Sequence, residues 1–263
     1  MLDFHNHLMP GVDDGAGDID EARTGLSEFR AQRIECIITT PHLRGSMIDR
    51  PREFEGFLDV LDNAWESLKA LATAEFPEMR LERGAEVMLD VPRPDLSDAR
   101  VRLAGTSFVL LEFPFMSIPP HSTLAIRDLA RNGWVPVIAH PERYRNIPVN
   151  YDLVEDWRDS GACIQVNSGS FIGYYGAGAK AIAWGLLERG CVDYLSSDYH
   201  SRGKCAVRDC AKAFERRGAE AQLRALTTTN PERLLRDERP VPVQPLIEGS
   251  GSFWRRLLPR FLR

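Results

Sequence analysis

Five of the six histidines in this 263-residue chain lie at or just beyond the ends of apolar, strand-like runs scattered along most of its length. His5 and His7 follow Leu2-Asp3-Phe4, His42 follows Ile34–Thr39, His140 follows Trp134–Ala139, and His200 follows Val192–Ser196. Core packing gives no reason to collect a scarce residue at the same end of successive strands. Parallel strands do, because their carboxyl ends and the loops beyond them share one side of the fold, where chemistry is carried. The constraint is topological before it is chemical.

Three more strand-like runs, Arg80–Met88, Phe108–Phe113 and Ala162–Val166, complete the series. The nearly unbroken apolar character of Cys36-Ile37-Ile38 and Val135–Ala139 suits strands covered on both faces. Between the strands the period changes to that of helices. A helix over Ile19–Gln32 is expected after Asp18, an N-cap residue type, with Glu21 placed for a capping box. Phe54, Phe57, Leu58, Leu61, Trp65, Leu68 and Leu71 form one apolar stripe. Further helices are expected over Ser122–Arg131, Leu153–Asp159, Ala179–Glu188 and Ala206–Arg217. Such alternation implies a doubly wound sheet or a barrel. Ligand-type residues at almost every strand end favour the barrel, since an open sheet spreads its ends along a line. The expected fold is α/β, a distorted parallel (β/α)7-type TIM-like barrel.

Bulk properties narrow the function. A net charge of -5 argues against broad nucleic-acid binding, which needs a cationic surface, while leaving room for a local basic pocket. The cysteines, at 36, 163, 191, 205 and 210, contain no C-x-x-C pair and read as buried thiols of a reducing compartment. With no signal-like N-terminus and no long apolar span, a cytoplasmic protein is expected. Residues 1–236 read as the barrel. Residues 237–263 read as a Pro/Gly/Ser connector with a basic, aromatic tail, either a frayed end or a weak contact with anionic lipid or a partner.

The site residues follow from spacing and cost. His5-x-His7 on extended backbone points both imidazoles to one side, and Asp198-x-His200 repeats the arrangement. Glu112 interrupts Val109-Leu110-Leu111 and Phe113, where an unpaired carboxylate is costly to bury. Glu86 ends an alternating run, and Asp14 sits in a turn soon after the histidine pair. Arg143, three residues past His140, is placed to meet a phosphate or carboxylate, with Arg202 or Lys204 as a second cationic contact. His121 has no strand before it and reads as a helix-start or surface residue. Cys210 and Arg216 share the spacing of thiol phosphatases, but the stretch between them is helix-forming and lacks glycine, so the match reads as coincidence.

Taken together, Asp3 through Ala16, Thr39-Thr40-Pro41-His42, Leu110–Pro114, Ala139–Arg143 and Ser196–His200 resemble, in order, the motifs of the bacterial PHP-type protein-tyrosine phosphatases of capsule and exopolysaccharide loci, the CpsB/YwqE-like enzymes. The resemblance spans roughly residues 1 to 235. It implies a PHP-superfamily barrel holding two or three divalent cations, often manganese, with iron and zinc suiting the same donors. By motif position the metal ligands would be His5, His7, Asp14, His42, Glu86, Glu112, His140, Asp198 and His200, with Arg143 binding phosphate. Asp14 and Arg202 join Arg143 as candidate catalytic residues. The implied substrate is the phosphotyrosine-bearing tail of a bacterial tyrosine kinase. Tyr199 and the Arg202-Gly203-Lys204 stretch depart from the Ser-Asp-Ala-His pattern of many members. Other readings change the substrate to histidinol phosphate or another small phosphomonoester, or to a nucleic-acid diester, or make the chain a non-catalytic adaptor.

Overall fold

The computed structural model describes residues 1–147 and 151–246. Among these residues nine short strands follow one another: β1 (Leu2–Asp3), β2 (Cys36–Thr39), β3 (His42–Arg44), β4 (Arg80–Arg83), β5 (Glu86–Met88), β6 (Phe108–Glu112), β7 (Val135–Ala139), β8 (Cys163–Asn167) and β9 (Tyr194–Ser196). All pair in parallel, in one sheet of order β1-β2-β4 and another of order β3-β5-β6-β7-β8-β9.

One expected strand is divided, and another is followed at once by a second segment that was not expected. The run expected over Arg80–Met88 breaks at Gly84-Ala85, where a Cβ on residue 84 would stand 3.1 Å from the Arg102 carbonyl. The run ending at Thr39 stops before Pro41, which offers no N–H to a ladder, and resumes as β3 with His42 inside a strand rather than in the loop beyond one. Backbone bonds span both breaks, from Thr40 N to Asn6 O at 2.8 Å, from Gly84 N to Thr39 O at 2.9 Å and from Glu86 N to Pro41 O at 3.0 Å. The first and last strands also approach each other. Asp198 N donates to His5 O at 2.8 Å, and His7 N to Tyr199 O at 2.9 Å. Asp3 adds its carboxylate, accepting from Ser197 N at 2.7 Å and from Asn6 Nδ2 at 3.1 Å.

Helices cover the outer face for reasons visible in their residues. Asp18 caps the helix Ile19–Ala31 by accepting from Asp20 N and Glu21 N, each at 2.9 Å. Glu21 does not complete the expected capping box. Its carboxylate instead accepts from Gly17 N and Ser201 Oγ, both at 2.8 Å, pinning the loop after His200 to this helix. The helix Pro51–Glu75 starts with proline at its first turn, where no N–H is needed, and buries Leu58, Leu61, Trp65, Leu68 and Leu71 against Leu26 and Phe29. Each fully buried leucine of that face contributes about 2 kcal/mol.

The strands sort their side chains into two packed layers. Phe4, Ile38, Phe108, Val137, Cys163 and Tyr194 meet in one cluster. Val87, Val109, Leu111, Ile138, Ile164 and Val166 point the other way, onto helices that include Trp157, Trp184 and Phe214. The segment expected to begin a flexible connector at 237 runs packed against the body: Val243 and Leu246 are buried, Arg239 donates to Gly161 O at 2.7 Å, and Val241 N donates to Asn230 Oδ1 at 2.9 Å. Its apolar positions have a surface to cover, which composition alone does not reveal. The Gly-Ser stretch and the basic, aromatic end lie outside the described residues. No described helix is long and apolar enough to cross a membrane.

Candidate metal centre

All the ligand-type residues but Asp14, which a loop carries, sit at or just beyond one end of a strand. His5 and His7 follow β1, His42 opens β3, Glu86 opens β5, Glu112 closes β6, His140 follows β7, and Asp198 and His200 follow β9. His140 (φ 35) and Asp198 (φ 52) take left-handed backbone, uncommon for such residues, so the chain turns sharply and leaves their side chains over the strand ends. The loop carrying Asp13 and Asp14 is held down by Gly15. A Cβ there would lie 2.1 Å from the His7 carbonyl, so only glycine permits the approach.

The side chains converge. His5 Nε2 stands 3.2 Å from Glu86 Oε1 and 3.4 Å from Asp198 Oδ1. His7 Nε2 is 3.5 Å from both Glu86 Oε2 and Asp198 Oδ1. His42 Nδ1 lies 3.0 Å from Glu86 Oε2 and 3.2 Å from Glu112 Oε1. His140 Nε2 is 2.9 Å from Glu86 Oε1, and His200 Nδ1 is 3.6 Å from Asp198 Oδ1. Asp14 is the exposed member, its Oδ1 3.5 Å from His42 Nε2 and 3.3 Å from His200 Nε2. Four overlapping sets have donor atoms all within 4.8 Å of one another: His7-Asp14-His42-His200, His5-His140-Asp198, His5-His7-Glu86 and His42-Glu86-Glu112.

Their electrostatics mark a charge-dense site. Burial opposes a charged His7, but Asp13, Asp198 and Glu86 outweigh it and raise the imidazole to about 10. His42 is likewise penalised by burial yet carried up to about 11 by Glu112 and Glu86. Glu86 is fully buried, and burial alone would raise it; His5, His140 and His42 hold it well below the usual carboxylate range. Asp198 is lowered in the same way, against burial, by His5, His7 and His140. His200 goes the other way, pushed down by burial and then by its neighbour His7.

A test of fit for cations comes from bonds that are not made. His5 Nε2, His7 Nε2, His42 Nδ1 and Glu86 Oε2 are buried without a hydrogen bond of acceptable angle, although opposing oxygens and nitrogens lie within 3.5 Å. Buried polar atoms are rarely left so. Donors that face a common point rather than each other fit divalent ions, and mixed imidazole and carboxylate sets suit such ions.

Several supporting residues escape sequence reasoning. Asp13, the neighbour of the expected Asp14, accepts from His7 Nδ1 at 2.6 Å and from His42 N at 3.0 Å, and His7 draws its carboxyl down to about 2 against the effect of burial. Gln165 Oε1 is 3.0 Å from His5 Nδ1, and Asn167 Nδ2 donates to Asp198 Oδ2 at 2.7 Å. Both fix the orientation of a candidate ligand's ring or carboxylate in the way outer partners of metal sites do. Their signal was present: polar residues at alternate positions of an otherwise apolar strand, Cys163-Ile164-Gln165-Val166-Asn167. Buried Glu142 accepts from Ser170 Oγ at 2.6 Å and from Asn167 N at 2.9 Å, anchoring the turn that carries Arg143.

A cleft of about 390 Å³ opens beside the cluster, lined by Asp14, Arg143, Tyr174, Tyr175, His200 and Arg202 among others. Arg143 bonds Asp198 Oδ2 at 2.5 Å and lies 4.3 Å over the Tyr175 ring. Lys204 also lines the cleft, but its Nζ is held by Asp209 at 2.9 Å. His121 sits exposed at the start of the helix Ser122–Arg131, apart from the site. Cys210 is fully buried inside the helix Val207–Arg216, and burial raises its thiol, which suits a packing role and not a nucleophile.

Parallel strands that bring this donor set to one mouth suit a metal-dependent hydrolase with more than one ion. The chain belongs to the CpsB/CapC family: residues 1–236 match the family described as capsular polysaccharide synthesis, CpsB/CapC. The motif resemblance is thereby borne out. Tyrosine-protein phosphatase YwqE of Bacillus subtilis (strain 168) is 32% identical over 204 residues, spanning 76% of this chain and 78% of its own. Tyrosine-protein phosphatase CpsB of Streptococcus pneumoniae is 31% identical over 209 residues, spanning 76% and 83%. A solved structure from work on those two enzymes, described as unique metal-dependent tyrosine phosphatases, superposes with a TM-score of 0.78 at 28% identity, over 94% of this chain and 99% of its own.

Proposed function

We propose that this chain is a metal-dependent protein-tyrosine phosphatase acting on the phosphotyrosine-bearing tail of a bacterial tyrosine kinase in capsular or exopolysaccharide synthesis. The observation that carries the reading is the set of buried, unbonded imidazole and carboxylate atoms facing one point beneath an arginine-lined cleft. Family membership supplies the substrate class.

The hydrogen bonds between the ends of the first and last strands, and the cluster to which six strand segments contribute, support a distorted seven-stranded barrel of PHP type, counting β2 with β3 and β4 with β5 as single interrupted strands. Residues 1–236 would form it. Five free cysteines accord with a cytoplasmic setting.

His5, His7, Asp14, His42, Glu86, Glu112, His140, Asp198 and His200 would hold two or three divalent ions, with manganese the leading candidate. Such ions, when bound, make water a competent nucleophile near neutral pH and offset the charge of the phosphoryl oxygens. The remaining work falls to the chain. Arg143, a planar donor at the cleft, would orient the phosphoryl group and stabilise its equatorial charge in an in-line displacement. Arg202 is the second cation of the cleft open to the ester, since Lys204 is engaged by Asp209. Tyr174 and Tyr175 give the substrate ring an aromatic wall. Phenolate, with a conjugate acid pKa of about 10, leaves without strong acid assistance. Asp14, the one carboxylate among the candidate catalytic residues, stands exposed at the rim, where the released phenolate takes its proton from water.

The test is hydrolysis of a phosphotyrosyl kinase-tail peptide against histidinol phosphate by protein whose metal content has been measured. Release of phosphate from the peptide, abolished by chelation and restored by manganese, supports the proposal. Turnover of histidinol phosphate alone refutes it.

A further inference from the structure

A second concavity, of about 450 Å³, lies between the helices Ala177–Glu188 and Val207–Arg216. Phe171, Ile172, Trp184 and Ala213 give it an apolar floor, and its rim carries Lys180, Lys212, Arg216 and Arg217 against one carboxylate, Asp209. That carboxylate is shared by Lys204 at 2.9 Å and Lys212 at 3.0 Å. Arg217 is paired with Glu188 at 3.1 Å and lies over the Trp184 ring. Lys180 and Arg216 are exposed and form no ion pair with any described residue. In a chain whose net charge is -5, this cationic excess is local.

The groove adjoins the catalytic cleft. Lys204, which lines the cleft, holds Asp209, which lines the groove. Phe171 and Ile172 of the groove floor run on through Gly173 into Tyr174 and Tyr175 of the cleft wall. A polypeptide with one residue in the cleft would lay its neighbours along the groove, where rim cations select carboxylates and the floor accepts side-chain carbon.

We propose that this groove binds the acidic flank of the phosphotyrosyl polypeptide, fixing which tyrosines are presented to the cleft. The inference rests on the phosphatase reading and adds the part of the substrate that the metal site never touches. Complementary charge at a rim acts chiefly on encounter and partner choice, so the effect belongs in KM and in its salt dependence.

The experiment uses the metal-loaded enzyme and three peptides sharing one phosphotyrosine, with flanks of glutamate, glutamine or lysine, beside p-nitrophenyl phosphate. The wild type should show a KM about tenfold lower for the glutamate flank than for the lysine flank, a gap that narrows as salt is raised. The double variant Lys180→Glu/Arg216→Glu should reverse that order, with kcat kept and the small ester hydrolysed as by the wild type. Equal kcat/KM for the three peptides, or an acidic preference that survives the double substitution, overturns the groove. Should p-nitrophenyl phosphate be cleaved but no phosphotyrosyl peptide, the phosphatase reading fails, and fluorescence anisotropy with an unphosphorylated glutamate-rich peptide then decides the groove separately. Binding lost in the double variant upholds it. No binding, or tighter binding of a single-stranded oligonucleotide, overturns it.

Discussion

The short strand β9 has a buried aspartate at each end, and the two live differently. Asp193 before it accepts from Ile164 N at 2.9 Å and from Arg158 at 3.1 Å, a fixed pairing with a permanent cation. Burial raises its carboxyl in spite of Arg158. Asp198 after it is as deeply buried, yet faces three imidazoles, an arginine and an amide, and is lowered in spite of burial. The first is a closed arrangement that holds the amino end of the strands together. The second concentrates more positive charge and more donors than one carboxylate can satisfy. Equal burial therefore says little about role; what differs is whether the partners are saturated.

That contrast can be broken experimentally. Asp198→Ala should lower kcat/KM for a phosphotyrosyl peptide by about 1,000-fold or more, together with measured metal content, while the melting temperature changes little. A variant retaining activity and metal would remove Asp198 from the centre. Asp193→Ala should do the reverse. It strands a half-buried arginine and the Ile164 N–H and costs on the order of 2 kcal/mol in denaturant unfolding, with kcat of the folded fraction kept.

Arg143→Ala sharpens the comparison from the other side. Removing one charge-stabilising donor should cost about 100-fold in kcat without loss of metal, separating phosphate contact from metal contact in one pair of assays. Proton linkage gives a further test. With His7 raised to about 10 and His42 to about 11, both imidazoles carry protons at neutral pH unless a cation displaces them. Metal binding should release protons, so apparent affinity rises with pH. Calorimetry in buffers of differing ionisation enthalpy reads that count, and a heat independent of buffer would contradict it. Smallest of all, Cys210→Ala should leave activity within about twofold and cost about 1 kcal/mol, since the thiol only fills space.

Much of the candidate site was legible because donors that share one mouth of a parallel fold sit where strands end, and His5, His7, His42, His140, Asp198 and His200 obey that rule in the sequence itself. Glu112 was legible through its cost in an apolar run. What stayed hidden has physical causes. Adjacent Asp13 and Asp14 differ only in which way a turn points them, so spacing could not tell that one bonds His7 Nδ1 and the other reaches the rim. Gln165 and Asn167 followed the logic of Glu112, but neutral amides are cheaper to bury and less conspicuous. In the fold, the alternation of strands and helices carried the architecture, whereas the interruptions at Pro41 and Gly84 depend on neighbouring backbone. The packing of Val243 and Leu246 depends on a surface built by residues far away in sequence.

The hydrogen bonds that join Asp3 to Ser197 and His5 to Asp198 also set a schedule for biosynthesis. The first candidate ligands leave the ribosome at the outset, and their partners follow after nearly the whole chain, roughly 10–40 s later at about 5–20 residues per second. Throughout that interval a nascent polypeptide owns half a reaction centre and can dephosphorylate nothing. Activity arrives only near the end of translation.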